Sequence, residues 1–266
     1  MMRTVTALLF LLSAAIPAVA AERLTDRDVK SLVARIEDGR DRFDNALDRE
    51  IKTMVIRSET REVKVAQFLD DFQAAIDRLE ERLKPDYAGS TEAAALLRSG
   101  TILHTFLQGR PVGTKGVSEW NRVAVDLKSL ALAYGADFPL AENATVRRLG
   151  DAELSVVMGE VVEQASRVKG ALNDDLKKDQ MMTEAAREAA VADVDEFGKA
   201  AKVARDRIKD GEPSSAEVQR VFVHAARIAT FIEGHSAPSA AGLWSPTASR
   251  LQTIAGAYGT EWRSPR

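Results

Sequence analysis

Apolar residues recur at three- and four-residue steps through the first half of the chain, which is the spacing of one face of an amphipathic helix. The first such run extends from Val29 to Ile51. Three further runs predict helices over about 58–84, 90–109 and 118–134. No segment shows a sustained alternation with a period of two, so we predict no strand.

The second half repeats this plan of four amphipathic helices. The apolar pattern predicts them over about 154–176, 183–209, 214–234 and 243–259. The last of these ranges places Pro246 in the first helical turn, where the missing N–H of proline leaves no hydrogen bond unmade. Together the two halves predict an all-α protein of about eight helices.

The two halves also match each other residue by residue. The nineteen residues from Trp120 to Phe138 align with those from Trp244 to Trp262 at an offset of 124, with seven identities. Collinear identities continue upstream at an offset of 125 and include Leu24/Leu149, Asp26/Asp151 and Phe72/Phe197. This pattern predicts a tandem duplication of a unit of about 120 residues, which is the usual size of one domain.

Four amphipathic helices joined by short connections bury their apolar faces against one another as an up-and-down bundle. We therefore predict a first helical-bundle repeat over 21–138, a linker over 139–148 and a second helical-bundle repeat over 149–266. A unit of this size forms a core without disulfides or metal ions. The oligomeric state is left open by the sequence.

Residues 1–20 have the pattern of a secretory signal peptide. Arg3 supplies the positive charge, an apolar run follows over 7–16, and the small residues Ala18-Val19-Ala20 precede the predicted cleavage site. The apolar run is too short to cross a bilayer comfortably, and no later segment reaches a membrane-spanning length. We predict cleavage after Ala20 and an exported, soluble protein, periplasmic or secreted, with no stable membrane insertion.

The composition excludes several classes of chemistry. Lys and Arg total 37 and Asp and Glu total 40, a balance that disfavours nucleic acid as a partner. The chain has no Cys, which excludes disulfides, thiolate zinc sites, covalently attached haem and Cys nucleophiles. His104, His224 and His235 lack the Glu three positions earlier that a di-metal bundle site needs. We predict no catalytic residue, metal site or cofactor.

Four aromatic residues repeat on the last predicted helix of each half. They are Trp120 and Tyr134 in the first half, and Trp244 and Tyr258 in the second. The favoured interpretation is that their rings anchor the two cores. The alternative is an aromatic-lined groove in each repeat for a ligand or a partner helix, and these four residues are the candidate site on that hypothesis.

Two bundles without a recognisable catalytic constellation favour a protein that acts by binding, with a partner protein or a small apolar ligand, and not by catalysis. The alternative is an enzyme, or a metal- or haem-dependent redox protein, with an atypical site between the two repeats. A purely structural component of the cell envelope is a third hypothesis. Helical bundles carry many functions, so the fold class does not decide among these.

Overall fold

A computed structural model describes residues 22–57, 62–111, 113–180 and 182–263. Over these ranges the chain is mostly helical, which confirms the predicted all-α class. The predicted signal peptide at 1–20 lies outside the described residues. Within the described ranges, no helix combines the length with the apolar character that a membrane span requires.

The N-terminal half contains four long helices, one short helix and a small hairpin. In chain order these elements are α1 (Asp26–Ala46), α2 (Arg49–Thr53), β1 (Val55–Arg57), β2 (Glu62–Lys64), α3 (Val65–Arg82), α4 (Ser90–Gln108) and α5 (Val117–Ala133). Thr25 begins α1 with a capping box, in which its hydroxyl and the Asp28 carboxylate each accept the other residue's main-chain N–H. Helix α3 ends just before Pro85, as the sequence predicts.

The second strand of an antiparallel hairpin lies where the start of the second helix was predicted. Strands β1 and β2 pair with Ile56 opposite Val63, and Ile56 is buried while Val55 and Arg57 are exposed. The prediction of no strand is therefore wrong here, and the helix begins at Val65. Strands of three residues are too short to show a period of two in the sequence.

The C-terminal half contains four long helices. They are α6 (Asp151–Leu176), α7 (Glu184–Lys209), α8 (Ser215–Gly234) and α9 (Pro238–Ala257). The predicted start of the last helix is wrong, because α9 begins at Pro238 and Pro246 lies inside it. The start of α9 is capped by Asp175 from the end of α6. The two residues in contact are 64 positions apart, so no local sequence pattern predicts this cap.

Each half encloses its own core. In the N-terminal half α1 packs against α3 and α5, and α4 packs against the same two helices. In the C-terminal half α6 packs against α7 and α9, and α8 contacts those two in turn. The buried side chains form two separate hydrophobic clusters, one in each half. This packing order is that of an up-and-down bundle in both halves. The tandem duplication itself stays a prediction.

The connection between α5 and α6 packs against both halves. It contains no helix or strand between Tyr134 and Gly150. Leu140 is buried in the N-terminal cluster, and Leu149 is buried in the C-terminal one. The main-chain N–H of Arg147 donates to the carbonyl of Tyr134 over 2.9 Å, which holds the end of the connection against the end of α5.

Candidate functional site

The two halves meet through two short segments of nearly the same sequence. Residues 23–26 read Arg-Leu-Thr-Asp and lead into α1, whereas residues 148–151 read Arg-Leu-Gly-Asp and lead into α6. The segments occupy equivalent positions at the offset of 125. Their two arginines and two aspartates form a cluster, the clasp, that consists of Arg23, Asp26, Arg148 and Asp151.

The two aspartates of the clasp cap each other's helices. The main-chain N–H of Asp26 donates to Oδ2 of Asp151 over 2.8 Å, and the main-chain N–H of Asp151 donates to Oδ2 of Asp26 over 2.8 Å. Each carboxylate therefore lies at the N-terminus of the first helix of the other half. A negative charge is favourable there because the unpaired N–H groups of a helix N-terminus carry partial positive charge.

Each arginine of the clasp likewise donates hydrogen bonds to the segment of the other half. Arg23 donates to the carboxylate of Asp151 over 2.6 Å and to the carbonyl of the leucine in the facing segment over 2.7 Å. Arg148 donates to the carboxylate of Asp26 over 2.7 Å and to the facing leucine carbonyl over 2.8 Å. These matched distances give the clasp a local two-fold arrangement.

Three of the four clasp side chains are almost withdrawn from water, whereas that of Asp26 is 26% exposed. The side chains of Arg148 and Arg23 are only 2% and 6% exposed, and that of Asp151 is 11% exposed. Burial and the nearby guanidinium of Arg23 lower the pKa of Arg148 from its usual value, although an arginine stays protonated at neutral pH. Two positive and two negative charges balance, so the clasp holds the halves together without net charge.

A cleft of about 390 Å³ lies between the ends of α5 and α9, beside the clasp. Its size falls in the range of small-molecule sites. Three pairs of positions related by the offset of 124 line it together, so both halves contribute their equivalent residues. The lining consists of Leu132, Ala133, Gly135, Arg147, Arg148, Leu149, Gln252, Thr253, Gly256, Ala257 and Gly259.

The lining of the cleft combines small apolar residues with two arginines, Gln252 and Thr253, and holds no carboxylate among the residues that the structure describes. Arg147 is exposed, and its guanidinium has no ion-pair partner among the residues that the structure describes. Arg148 is tied through Nη2, whereas its Nε is buried without a hydrogen-bond partner in the described structure. Leu132 presents an apolar side chain that is 60% exposed. The cleft therefore offers hydrogen-bond donors beside an apolar surface.

The four predicted aromatic residues lie in the two cores and not in the cleft lining. Trp120 is 1% exposed and its ring centroid lies 5.9 Å from that of Phe72. Trp244 is 5% exposed and lies 5.7 Å from Phe197. These are the contacts expected of core anchors. The role of the four residues as a ligand groove stays a prediction.

The two tyrosines tie helix ends to neighbouring loops. The hydroxyl of Tyr134 donates to the carbonyl of Ala88, and the hydroxyl of Tyr258 shares a 2.6 Å hydrogen bond with Ser214. Burial raises the pKa of both tyrosines. Each tyrosine stands between two cleft-lining positions in the sequence, so its buried ring supports the wall of the cleft from the core side.

Sequence reasoning missed the arginines that build this site. The alignment of the halves already paired the leucines and aspartates of the two segments, and Arg23 and Arg148 match at the same offset. That repeated Arg-Leu-x-Asp pattern was the available signal. In the described ranges, His104, His224 and His235 join no group of three or more side chains that could hold a metal ion.

The chain matches no protein-family model, no curated protein and no solved structure.

Proposed function

We propose that this is an exported binding protein that holds a small, partly apolar ligand in the cleft between two duplicated helical bundles. The observation that carries the proposal is the cleft of about 390 Å³, lined by equivalent positions of both halves and by a buried arginine with an unpartnered Nε. Apolar walls with a few fixed polar groups are the usual composition of a ligand site.

The contacts of the clasp hold the wall of this cleft at Arg148 in one position. Arg148 is held by Asp26, and its main-chain N–H also donates to the hydroxyl of Ser90 over 3.1 Å. A wall that is already fixed before binding loses little conformational freedom when a ligand arrives. The structure therefore supports binding to a preformed site.

The reciprocal clasp also supports the proposed duplication. Two copies of one bundle joined head to tail present the same surface twice, and such surfaces pair through a two-fold arrangement. The exchange of Asp26 with Asp151 follows this rule. The cleft then arises from the way the copies meet, which explains why equivalent residues of both halves line it.

Glycine substitutions in α9 provide a matched test of the cleft. A Cβ added at Gly256, which lines the cleft, meets no atom within 4 Å, and the same is true at Gly242 in the same helix but outside the cleft lining. Leucine favours a helix more than glycine does at either position. Gly256→Leu therefore fills the cleft while preserving the fold, and Gly242→Leu is the control.

The measurement is native mass spectrometry of the three proteins after incubation with a small-molecule extract of the cells that produce them. We expect the wild type and Gly242→Leu to retain the same small molecule at one per chain, and Gly256→Leu to lose it. Equal retention by Gly256→Leu contradicts the proposal. A stoichiometric metal ion or chromophore favours the alternative of a redox protein or enzyme with a site between the repeats.

Export has a separate test. The predicted signal peptide ends at Ala20, so N-terminal sequencing of the protein from its native cells should begin at Ala21. A sequence that begins at Met1 or Met2 contradicts the proposed export.

A further inference from the structure

We infer that the ligand of the cleft carries a single carboxylate, bound by Arg147, on a short apolar chain. This inference rests on the proposed function of the cleft and adds the chemical class of the ligand. Its first support is the lining, which among the described residues places the exposed Arg147 beside apolar side chains and holds no acidic residue.

The charges of the arginines and aspartates around the cleft indicate how many negative charges the ligand carries. Arg148 is neutralised by Asp26, and Arg23 is neutralised by Asp151. Arg147 then remains as one cation without an ion-pair partner in the described part of the chain. A monoanion balances this excess, whereas a dianion such as a phosphate monoester brings a second negative charge that no described lining residue neutralises.

The guanidinium of Arg147 also favours a carboxylate, because Arg147 is exposed at the cleft and has no ion-pair partner among the described residues. The guanidinium of Arg148 is not offered in this way, since both contacts of its Nη2 belong to the clasp and its Nε is buried. Arginine N–H groups form a planar fork that matches the two oxygens of a carboxylate.

The small and apolar residues of the lining favour an apolar group at the other end of the ligand. Ala133, Ala257 and three glycines leave space at the two helix ends, and the exposed Leu132 provides an apolar contact. A short hydrocarbon chain fits this surface and the volume of the cleft.

Arg147 also has a purely structural interpretation. Its main-chain N–H is bonded to the end of α5, and a cation near a helix C-terminus offsets the partial negative charge there. That interpretation requires Arg147→Gln to lower stability without changing ligand binding, so a binding measurement separates the two.

The test is isothermal titration calorimetry with octanoate, 1-octanol, octylamine and octyl phosphate, each below its micelle-forming concentration. We expect octanoate to bind once per chain and about tenfold more tightly than octanol, because one charge-assisted contact distinguishes them. Arg147→Gln should weaken octanoate binding about tenfold and leave octanol binding unchanged. Arg263→Gln, which changes an exposed arginine outside the cleft lining, is the matched control.

Three results overturn the inference. They are octanol binding as tightly as octanoate, octyl phosphate binding more tightly than octanoate, and octanoate binding that survives Gly256→Leu. Failure of all four probes also overturns the proposed ligand class. The retention experiment with cell extract tests the cleft without assuming this chemistry, so the proposed function and the carboxylate inference fail separately.

Discussion

At the scale of single residues, His104 distinguishes the two cores. Nε1 of Trp120 donates to Nδ1 of His104 over 3.1 Å. In the C-terminal half the position that matches His104 is Ala229, and the buried Nε1 of Trp244 has no hydrogen-bond partner in the described structure. The two tryptophans are therefore packed alike, but only the Nε1–H of Trp120 has a hydrogen-bond acceptor in the described structure.

This difference predicts a pH-dependent stability of the N-terminal core. Burial lowers the pKa of His104 below 6.5, and a protonated Nδ1 cannot accept the N–H of Trp120. The unfolded chain then binds the proton more readily than the folded one, so the stabilisation is complete above pH 6.5 and is lost as pH falls through the lowered pKa.

The measurement is the free energy of unfolding in urea between pH 7.5 and 5. We expect His104→Gln, which does not titrate, to flatten the decline seen in the wild type, while His235→Gln at the exposed end of α8 leaves it unchanged. An identical decline in the wild type and His104→Gln contradicts the prediction.

At the scale of elements, Asp175 determines where α9 begins. Its carboxylate accepts the main-chain N–H of Ser239 over 2.8 Å, the hydroxyl of Ser239 over 2.8 Å and the N–H of Ala240 over 3.1 Å. The residue that precedes the helix, Ala237, has no side chain that can cap it. The cap of α9 is thus supplied by the end of α6.

Asp175→Asn should lower the free energy of unfolding by about 2 kcal/mol at neutral pH, because it weakens charge-assisted hydrogen bonds at a buried site. Desolvation alone raises the pKa of Asp175, but the bonds from Ala240 and Ser239 outweigh it and lower that pKa. The stabilisation is therefore present above the unfolded pKa of about 4 and is lost as pH falls through the folded value.

Chemical denaturation at pH 7 and pH 3 tests this prediction. Asp174→Asn is the matched control, because the side chain of Asp174 is 69% exposed. We expect the difference between the wild type and Asp175→Asn to shrink at pH 3. Equal stabilities at pH 7 count against a capping role.

We expect Pro246 to lower the stability of α9. It lies inside the helix, is exposed, and cannot donate the main-chain hydrogen bond of that turn. We expect Pro246→Ala to raise the free energy of unfolding by about 1–3 kcal/mol in thermal or urea unfolding. Pro238→Ala at the first helical position should bring no such gain. A loss of stability in Pro246→Ala contradicts this expectation.

The elements that the sequence predicts well are those defined by local spacing. The apolar stripe around Phe72 and Leu79 and the stop at Pro85 specify α3 almost to its end. The hairpin around Ile56 and the start of α9 were mispredicted, because one is too short for a periodic signal and the other is capped from a distant helix.

The site was harder to predict than the helices. A match between two halves shows which residues are equivalent, but it does not show that Arg23 contacts Asp151 or that the ends of α5 and α9 form a cleft. Those facts depend on how the halves meet. Reciprocal contacts of this kind have no local sequence pattern.

At the scale of the whole molecule, the clasp couples two cores that share no buried residue. Each half has a complete ring of packed helices, so each has the means to unfold by itself. Asp151 contacts Arg23 and the start of α1, and its loss leaves a buried guanidinium without its carboxylate. We therefore expect Asp151→Asn to weaken the coupling between halves by about 3 kcal/mol.

Calorimetric unfolding gives the measurement. The coupled wild type should unfold in one transition, and Asp151→Asn should unfold in two, since the less stable half no longer depends on the other. Asp126→Asn, which breaks an exposed pair with Arg35 inside the N-terminal half, should keep the single transition. Two transitions already present in the wild type, or one transition that only shifts in Asp151→Asn, would show that the clasp does not join the halves energetically.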